Sequence, residues 1–341
     1  MTDGLGLYEM LKLCELLDAP CLLSVYTGYS IQRSYVPIAD SEQFALDALE
    51  MLEFANGDSS TGSTLAILRN EMGHAAPFGL DRLEVGNEER TMAPGDYPEH
   101  YALITERLRS KHPGLQIVAS GRWRSPSDID GSPCLTGQRC DVWDEHFYQT
   151  PDELAAMADH YDSYNRTWPP VFVGEYAANK PTGEPTLRAA IAESLFMLGF
   201  ERNADVVLAS AFAPLFSNVH GTQWRYCLVN FNSSHVFVLP SYHVQRMLSS
   251  ARGTRTLPCS LRGEDAPGSS QARTTVSAWS ASAALSDDSG EGHIVLKLAN
   301  YGERPRDFSV SLDSWAPRKV VTARAELLSA SSPNAANSLE E

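Results

Sequence analysis

Apolar positions along the first 250 residues recur in two alternating periods. Leu7, Leu11, Cys14 and Leu17 share one face at helical spacing, with Asp3 as the expected cap. Cys21–Tyr26 follows as a short apolar run ended by Gly28, the signature of a buried strand. Ser41 is expected to cap a second helix that turns Ala45, Ala48, Leu49 and Leu52 inward and ends near Gly57. Arg82–Gly86 reads as a strand, Tyr101, Ile104 and Leu108 mark a helix, and Leu115–Ser120 reads as the next strand. Asp141–Tyr148 is another strand. Thr150-Pro151-Asp152-Glu153 then has the form of a capping box with proline at the first helical position, opening a helix through Leu154, Met157, Ala158 and Tyr161. Val171–Gly174 reads as a strand, Leu187–Phe200 as a helix and Asp205–Ala213 as a strand, and Ser241 caps a helix through Val244, Met247 and Leu248.

Strand and helix in strict alternation predict a parallel sheet wrapped by helices, and the number of units favours a closed barrel. A doubly wound open sheet has the same rhythm, but no GxGxxG or GxxxxGK[ST] fingerprint supports it. The rhythm breaks near residue 252. Arg262–Ser270 is polar and rich in Gly, Pro and Ser, and Thr274–Ala281, His293–Ala299 and Phe308–Leu312 read as strands with no helix between them. The expected organisation is a barrel domain over 1–252, a small β-sandwich portion over 253–328 and a polar tail over 329–341.

Composition narrows the partners. The 341 residues include 27 Lys and Arg against 43 Asp and Glu, a net charge of −16. That balance argues against nucleic acid and against an anionic membrane surface, both of which need clustered positive charge. No apolar run is long enough to span a membrane, and the first residues lack the pattern of a signal peptide. None of the six cysteines forms a CxxC pair; Cys134 and Cys140 flank a glycine-containing loop and suit either a local disulfide or two separate thiols. Asn165-Arg166-Thr167 and Asn232-Ser233-Ser234 are glycosylation sequons.

Two carboxylates stand out by context. Glu88 closes Leu83-Glu84-Val85-Gly86-Asn87-Glu88 and Glu175 closes Val171-Phe172-Val173-Gly174-Glu175, each expected just after a strand. Residues at the C-terminal ends of barrel strands converge on one mouth, so the two groups are expected face to face. Paired carboxyls are the minimum equipment for cleaving a glycosidic bond: one donates a proton to the leaving oxygen, the other attacks or activates water. The bland alternative for such a glutamate is a solvated loop residue or a structural charge, and that reading is expected for Glu84, Glu89 and Glu145.

The surrounding motifs resemble glycoside hydrolase family 51, the α-L-arabinofuranosidases. Gly86-Asn87-Glu88 is similar to that family's acid/base motif and Val173-Gly174-Glu175-Tyr176 to its nucleophile strand. Val25-Tyr26-Thr27-Gly28-Tyr29-Ser30, Asp144-Glu145-His146-Phe147-Tyr148, Glu201-Arg202-Asn203-Ala204-Asp205-Val206-Val207, Ala213-Pro214-Leu215-Phe216, Gln223-Trp224 and Pro240-Ser241-Tyr242 follow in the family's order. The resemblance runs closely over 3–258 and more loosely over 274–315.

The resemblance implies a (β/α)8 TIM-type barrel with a C-terminal antiparallel β-sandwich portion. It implies Glu88 as general acid/base and Glu175 as nucleophile of a retaining hydrolase that releases terminal α-L-arabinofuranosyl residues from arabinoxylan- or arabinan-type substrates. Asn87 is then expected on the sugar 2-hydroxyl and Gln223 on the sugar. His146 and Tyr148 line the mouth or form a packed aromatic cluster. Trp224 stacks on sugar or packs, and Tyr176 orients the nucleophile or packs beside it. No metal or organic cofactor is implied, and the implied compartment is extracellular. The family's Pro-Gly-Gly-type first strand is not found in this sequence, so the barrel is expected to lack its first strand and the sandwich to stop short. Rivals are another retaining barrel glycosidase acting on xylan or glucan, and an inactive truncated relative.

Overall fold

A computed structural model describes residues 5–30, 34–88, 97–121, 140–180, 185–221, 224, 227–261, 274–280, 294–302, 305–311 and 324–339. They form two compact units, Met1–His146 with Arg166–Phe172, and Phe147–Asn165 with Val173–Glu341.

In the first unit, α1 (Leu7–Leu16) leads to β1 (Leu23–Val25), α2 (Glu42–Asn56), α3 (Thr64–Glu71), β2 (Arg82–Val85), α4 (Tyr97–Lys111), β3 (Gln116–Ser120) and the start of β4 (Val142–Tyr148). The strands lie in chain order, β1-β2-β3-β4, and the pairs are parallel. Register places Ser24 beside Glu84, Glu84 beside Val118, and Ser120 beside Asp144. Strand side chains alternate between faces. Val25, Leu83, Val85, Ile117, Ala119 and Trp143 therefore enter one core with Ala45, Ala48 and Leu52 of α2 and Tyr101, Ile104 and Leu108 of α4. Large aliphatic side chains buried to this degree contribute roughly 1.5–3 kcal/mol each. The residues between them, Ser24, Glu84, Ser120, Asp144 and His146, take the other face.

Helix ends differ in detail from expectation. Helix α1 starts at Leu7 with Gly6 as its cap, whose N–H donates to the Glu9 carboxylate at 2.9 Å; Asp3 lies outside the described residues. Ser41 does precede α2, but its hydroxyl donates back to the Pro37 carbonyl at 3.0 Å rather than capping the helix. Helix α3 is unforeseen and is capped by the Ser63 hydroxyl, which accepts the Ala66 N–H. Near the end of that helix the wholly buried Arg69 donates to the carbonyls of Phe54 and Gly57 at 2.8 Å and of His74 and Ala75 at 3.1 Å. The guanidinium thereby satisfies the end of α2 and the turn after α3 together.

In the second unit, the last residues of β4 continue to α5 (Pro151–Ala155), β5 (Val171–Ala177), α6 (Leu187–Arg202) and β6 (Val207–Phe212), with strand order β4-β5-β6. The capping box forms as read: Thr150 Oγ1 accepts the Glu153 N–H at 3.2 Å and Glu153 Oε2 accepts the Thr150 N–H at 3.0 Å. The helix it opens is shorter than expected. It ends at Ala155, and 156–163 continue as turns that still bury Tyr161. Tyr161, Tyr176, Phe147, Phe196 and Phe200 pack edge to face or tilted around α6, with Phe196 and Phe200 centroids 4.4 Å apart.

A three-stranded sheet of β7 (Phe216–Asn218), β8 (Val229–Phe231) and β9 (Val236–Val238) precedes α7 (Pro240–Ser250). Leu239 is the N-cap of α7, so Ser241 lies inside the helix rather than capping it. Strands β10 (Arg255–Leu257), β11 (Thr274–Ser280) and β12 (Ile294–Asn300) then form an antiparallel sheet. Residues 308–311, expected as a strand, have no regular structure.

Replacing Arg69 with leucine leaves four carbonyls without their donor. The Arg69→Leu protein is expected to lose at least about 3 kcal/mol in urea unfolding; a loss below about 1 kcal/mol would show that water substitutes for the guanidinium.

Candidate active site

Strand β2 ends at Val85, and Gly86 takes a left-handed conformation (φ 93°) while its N–H donates to the Val25 carbonyl at 3.0 Å. The same turn forces Glu88 to φ 58°, a region unfavourable for a residue with a Cβ. Such strain persists where surrounding bonds over-determine it. Tyr97 supplies one of them: its hydroxyl donates to the Val85 carbonyl at 2.5 Å and accepts the Ser120 N–H at 2.8 Å, tying the ends of β2 and β3 together. Asn87, half-buried, sits in the turn beside Glu88.

Glu88 Oε1 lies 2.9 Å from Nδ1 of His146, and Nε2 of His146 lies 2.7 Å from Asp144 Oδ2. Glu84 Oε2 accepts the Ser24 hydroxyl at 2.6 Å. Glu84, Asp144 and His146 are all buried. Burial first, then the Asp144 charge, pushes the Glu84 carboxyl well above the usual carboxylate range. These three bring one polar atom each within 4.8 Å of one another, the spacing of a metal cluster. Both imidazole nitrogens are already held by carboxyls, so hydrogen bonding within the group accounts for that spacing.

In the second unit, Tyr148 donates to Glu175 Oε2 at 2.6 Å. The Tyr148 ring lies 5.7 Å from that of Trp224, tilted by 33°, and Trp224 is half exposed. Glu175 sits inside β5 rather than after it, because the strand continues to Ala177. Alternation then turns its neighbour the other way. Tyr176 is fully buried among Phe196, Phe200 and Phe212 and exchanges hydrogen bonds with Gln245 at 2.7–3.0 Å, so it packs behind the strand. Just past the strand, the buried Glu193 accepts the Ala178 N–H at 3.0 Å; burial raises its carboxyl to about 7.

Of the residues singled out in the sequence, the structure hydrogen-bonds Glu88 to His146 and Glu175 to Tyr148, and sets the Trp224 ring beside that of Tyr148. Gln223 and Glu89 lie outside the described residues. Glu84 and Glu145 are not solvated: both are buried in strands. The sequence reading missed Glu84 and Asp144 as members of the polar group. Their signal was available, a carboxylate inside the apolar run Leu83-Glu84-Val85 and another two residues before His146 on the same strand face.

Residues 1–166 match the α-L-arabinofuranosidase 1 domain, and residues 155–341 match the α-L-arabinofuranosidase C-terminal domain. The chain belongs to glycoside hydrolase family 51, the α-L-arabinofuranosidases. α-L-Arabinofuranosidase A of Aspergillus niger is 32% identical over 99% of this chain and 50% of its own length. α-L-Arabinofuranosidase 1 of Arabidopsis thaliana is 30% identical over 92% of this chain and 43% of its own. The arabinose-bound structure of MgGH51 α-L-arabinofuranosidase superposes with a TM-score of 0.77 at 30% identity, covering 89% of this chain and 47% of that one. This chain thus spans about half the length of the family 51 relatives it matches. The likeness establishes an α/β fold of the TIM-barrel type.

Glu193 makes the family 51 chain pH-sensitive in a defined direction. Its folded-state value of about 7 exceeds the ordinary 4.5, so the folded protein binds the extra proton between those values. Stability is therefore expected to be full below pH 4.5 for this group and to fall as pH rises towards 7, by roughly 3 kcal/mol in all. Urea titrations across that range test it. Glu193→Gln is expected to flatten that part of the slope; an unchanged slope would contradict the assignment.

Proposed function

We propose that this chain carries the catalytic machinery of a retaining glycoside hydrolase that releases terminal non-reducing α-L-arabinofuranosyl residues from arabinoxylan- or arabinan-type polysaccharides and oligosaccharides. The observation that carries the reading is the pairing of each expected catalytic carboxylate with a partner from one strand: His146 on Glu88 and Tyr148 on Glu175, two residues apart on β4. Family membership and the arabinose bound by the MgGH51 relative support the sugar.

In the first step Glu88 gives its proton to the departing glycosidic oxygen while a Glu175 oxygen attacks the anomeric carbon, forming an ester and breaking the glycosidic bond. In the second, Glu88 takes a proton from water, whose oxygen displaces Glu175 from the sugar. The Tyr148 hydroxyl donates to Glu175 and orients the carboxyl group for attack. Asn87 is assigned to the sugar 2-hydroxyl, Gln223 to a second hydroxyl and the half-exposed Trp224 to a stacking surface. No cofactor enters this chemistry.

The same reading extends to architecture and compartment. The parallel sheet is taken as part of a (β/α)8 barrel whose first strand is not among these residues, and β10–β12 as one layer of an antiparallel sandwich beginning near residue 253. The protein is assigned to the extracellular space, which the sequon at the Asn165 position supports.

Three aryl glycosides test the substrate: faster release from the α-L-arabinofuranoside than from the β-xyloside or β-glucoside is expected, and the reverse order would refute the proposal. Glu175→Ala should abolish turnover of all of them, and normal hydrolysis by that variant would remove Glu175 from its role. Glu88→Ala should slow poor leaving groups by about 10²–10⁴-fold and spare activated aryl groups. Equal losses across leaving groups would contradict proton donation.

A further inference from the structure

We infer that Cys14 and Cys21 are a modification site: a small-molecule disulfide oxidant such as oxidised glutathione joins their sulfurs and staples the end of α1 to the start of β1. The inference stands apart from the activity proposed for Glu88 and Glu175 and concerns two side chains that this chemistry does not use.

The chain folds back on itself to bring the two cysteines together. Cys14 lies in the last turn of α1, on the inward face that Leu7 and Leu11 begin. The helix then stops in a turn of the Schellman type. The Ala19 N–H donates to the Cys14 carbonyl at 3.0 Å and the Asp18 N–H to the Glu15 carbonyl at 3.1 Å. Asp18 takes a φ of 50°, the left-handed position at which such a turn reverses. Pro20 follows and has no N–H with which to resume the helix. The chain therefore runs back along the turn it has just left, and the next residue is Cys21. Cys21 packs against the core two residues before β1 begins at Leu23. There its thiol is hydrogen-bonded to that of Cys14.

Both thiols are free and half-buried. Filling space in a core requires neither that two thiols meet nor that they stay within reach of solvent, and this pair does both. The contact also sets the order of reaction. Burial first, and then the hydrogen bond to Cys14, pushes the Cys21 thiol up to about 12, so Cys21 keeps its proton and Cys14 reacts first. The Cys14 thiolate attacks one sulfur of the oxidant, and the displaced small thiolate takes up the proton that Cys14 gave up. Cys21 then loses its proton to solvent and attacks the Cys14 sulfur, breaking the mixed disulfide and releasing the second small thiol. The protein gives up two protons and two electrons, and the oxidant takes them as two thiols. Among the described residues β1 is the end strand of its sheet, and its Val25 carbonyl receives the Gly86 N–H in the turn that carries Glu88. The staple thus anchors the strand on which that turn is built.

Trypsin reads the pair in one peptide, Leu13–Arg33, which contains Cys14 and Cys21 and no other cysteine. The folded chain is equilibrated in glutathione buffers of graded oxidising strength, then alkylated with iodoacetamide, digested and weighed. The expected product is that peptide two hydrogens lighter and unalkylated. Two alkylated cysteines at every ratio, a glutathione on each, or a bridge from either to another peptide would overturn the inference. The same titration in concentrated urea separates placement by the fold from chance closure of a short loop. Half conversion should need at least about tenfold less oxidised glutathione in the folded chain, because a bridge that fits the fold is stabilised by it. An equal or greater requirement would show that the fold holds the sulfurs apart and would also overturn the inference. Neither readout needs turnover, so failure here is distinct from failure of the proposed activity.

Discussion

The two-residue period of strand β4 is the constraint on which the polar chemistry depends. Asp144, His146 and Tyr148 occupy alternate positions and share one face, while Trp143 enters the helix-backed core and Phe147 the aromatic cluster. A slip of one residue would bury Trp143 and Phe147 among carboxylates and turn the histidine into an apolar core. The apolar side of the strand therefore fixes the register of the polar side. From that register, β4 supplies an imidazole to Glu88 and a phenol to Glu175.

The inner face is costly by the same logic. Ser24, Glu84, Asp144 and His146 are drawn into one polar group, and the hydrogen bonds within it offset part of the cost of burial. The tie that Tyr97 makes between the ends of β2 and β3 holds the turn in which Glu88 adopts a positive φ. A rigid sheet and a strained turn together present the Glu88 carboxyl group at a defined place.

Much of this was legible in the sequence because it rests on local rules. The Thr150 capping box and the strand at Arg82–Gly86 depend on neighbours within a few residues and form as read, while the strand that begins at Val171 runs past its expected end and takes in Glu175. What escaped depends on contacts distant in sequence. Helix α5 stops at Ala155 although the apolar spacing continues to Tyr161, because the aromatic cluster around α6 holds Tyr161 without helical geometry. Helix α3 shows a weak pattern, with Ile67 and Leu68 exposed and the charged Arg69 buried, since Arg69 serves distant carbonyls. Tyr176 follows Glu175 in sequence yet turns away from it, a consequence of Glu175 lying within the strand. The place of Glu84 in the polar group is invisible without knowing that β2 and β4 bring two carboxyls to the same face.

Trapping of the glycosyl intermediate tests the central claim most directly. The protein is incubated with an activated 2-deoxy-2-fluoro-α-L-arabinofuranoside, and the labelled peptide is located by mass spectrometry. The account predicts a single sugar ester on Glu175. An ester on Glu88, or turnover of the parent substrate with no ester on either residue, would contradict it.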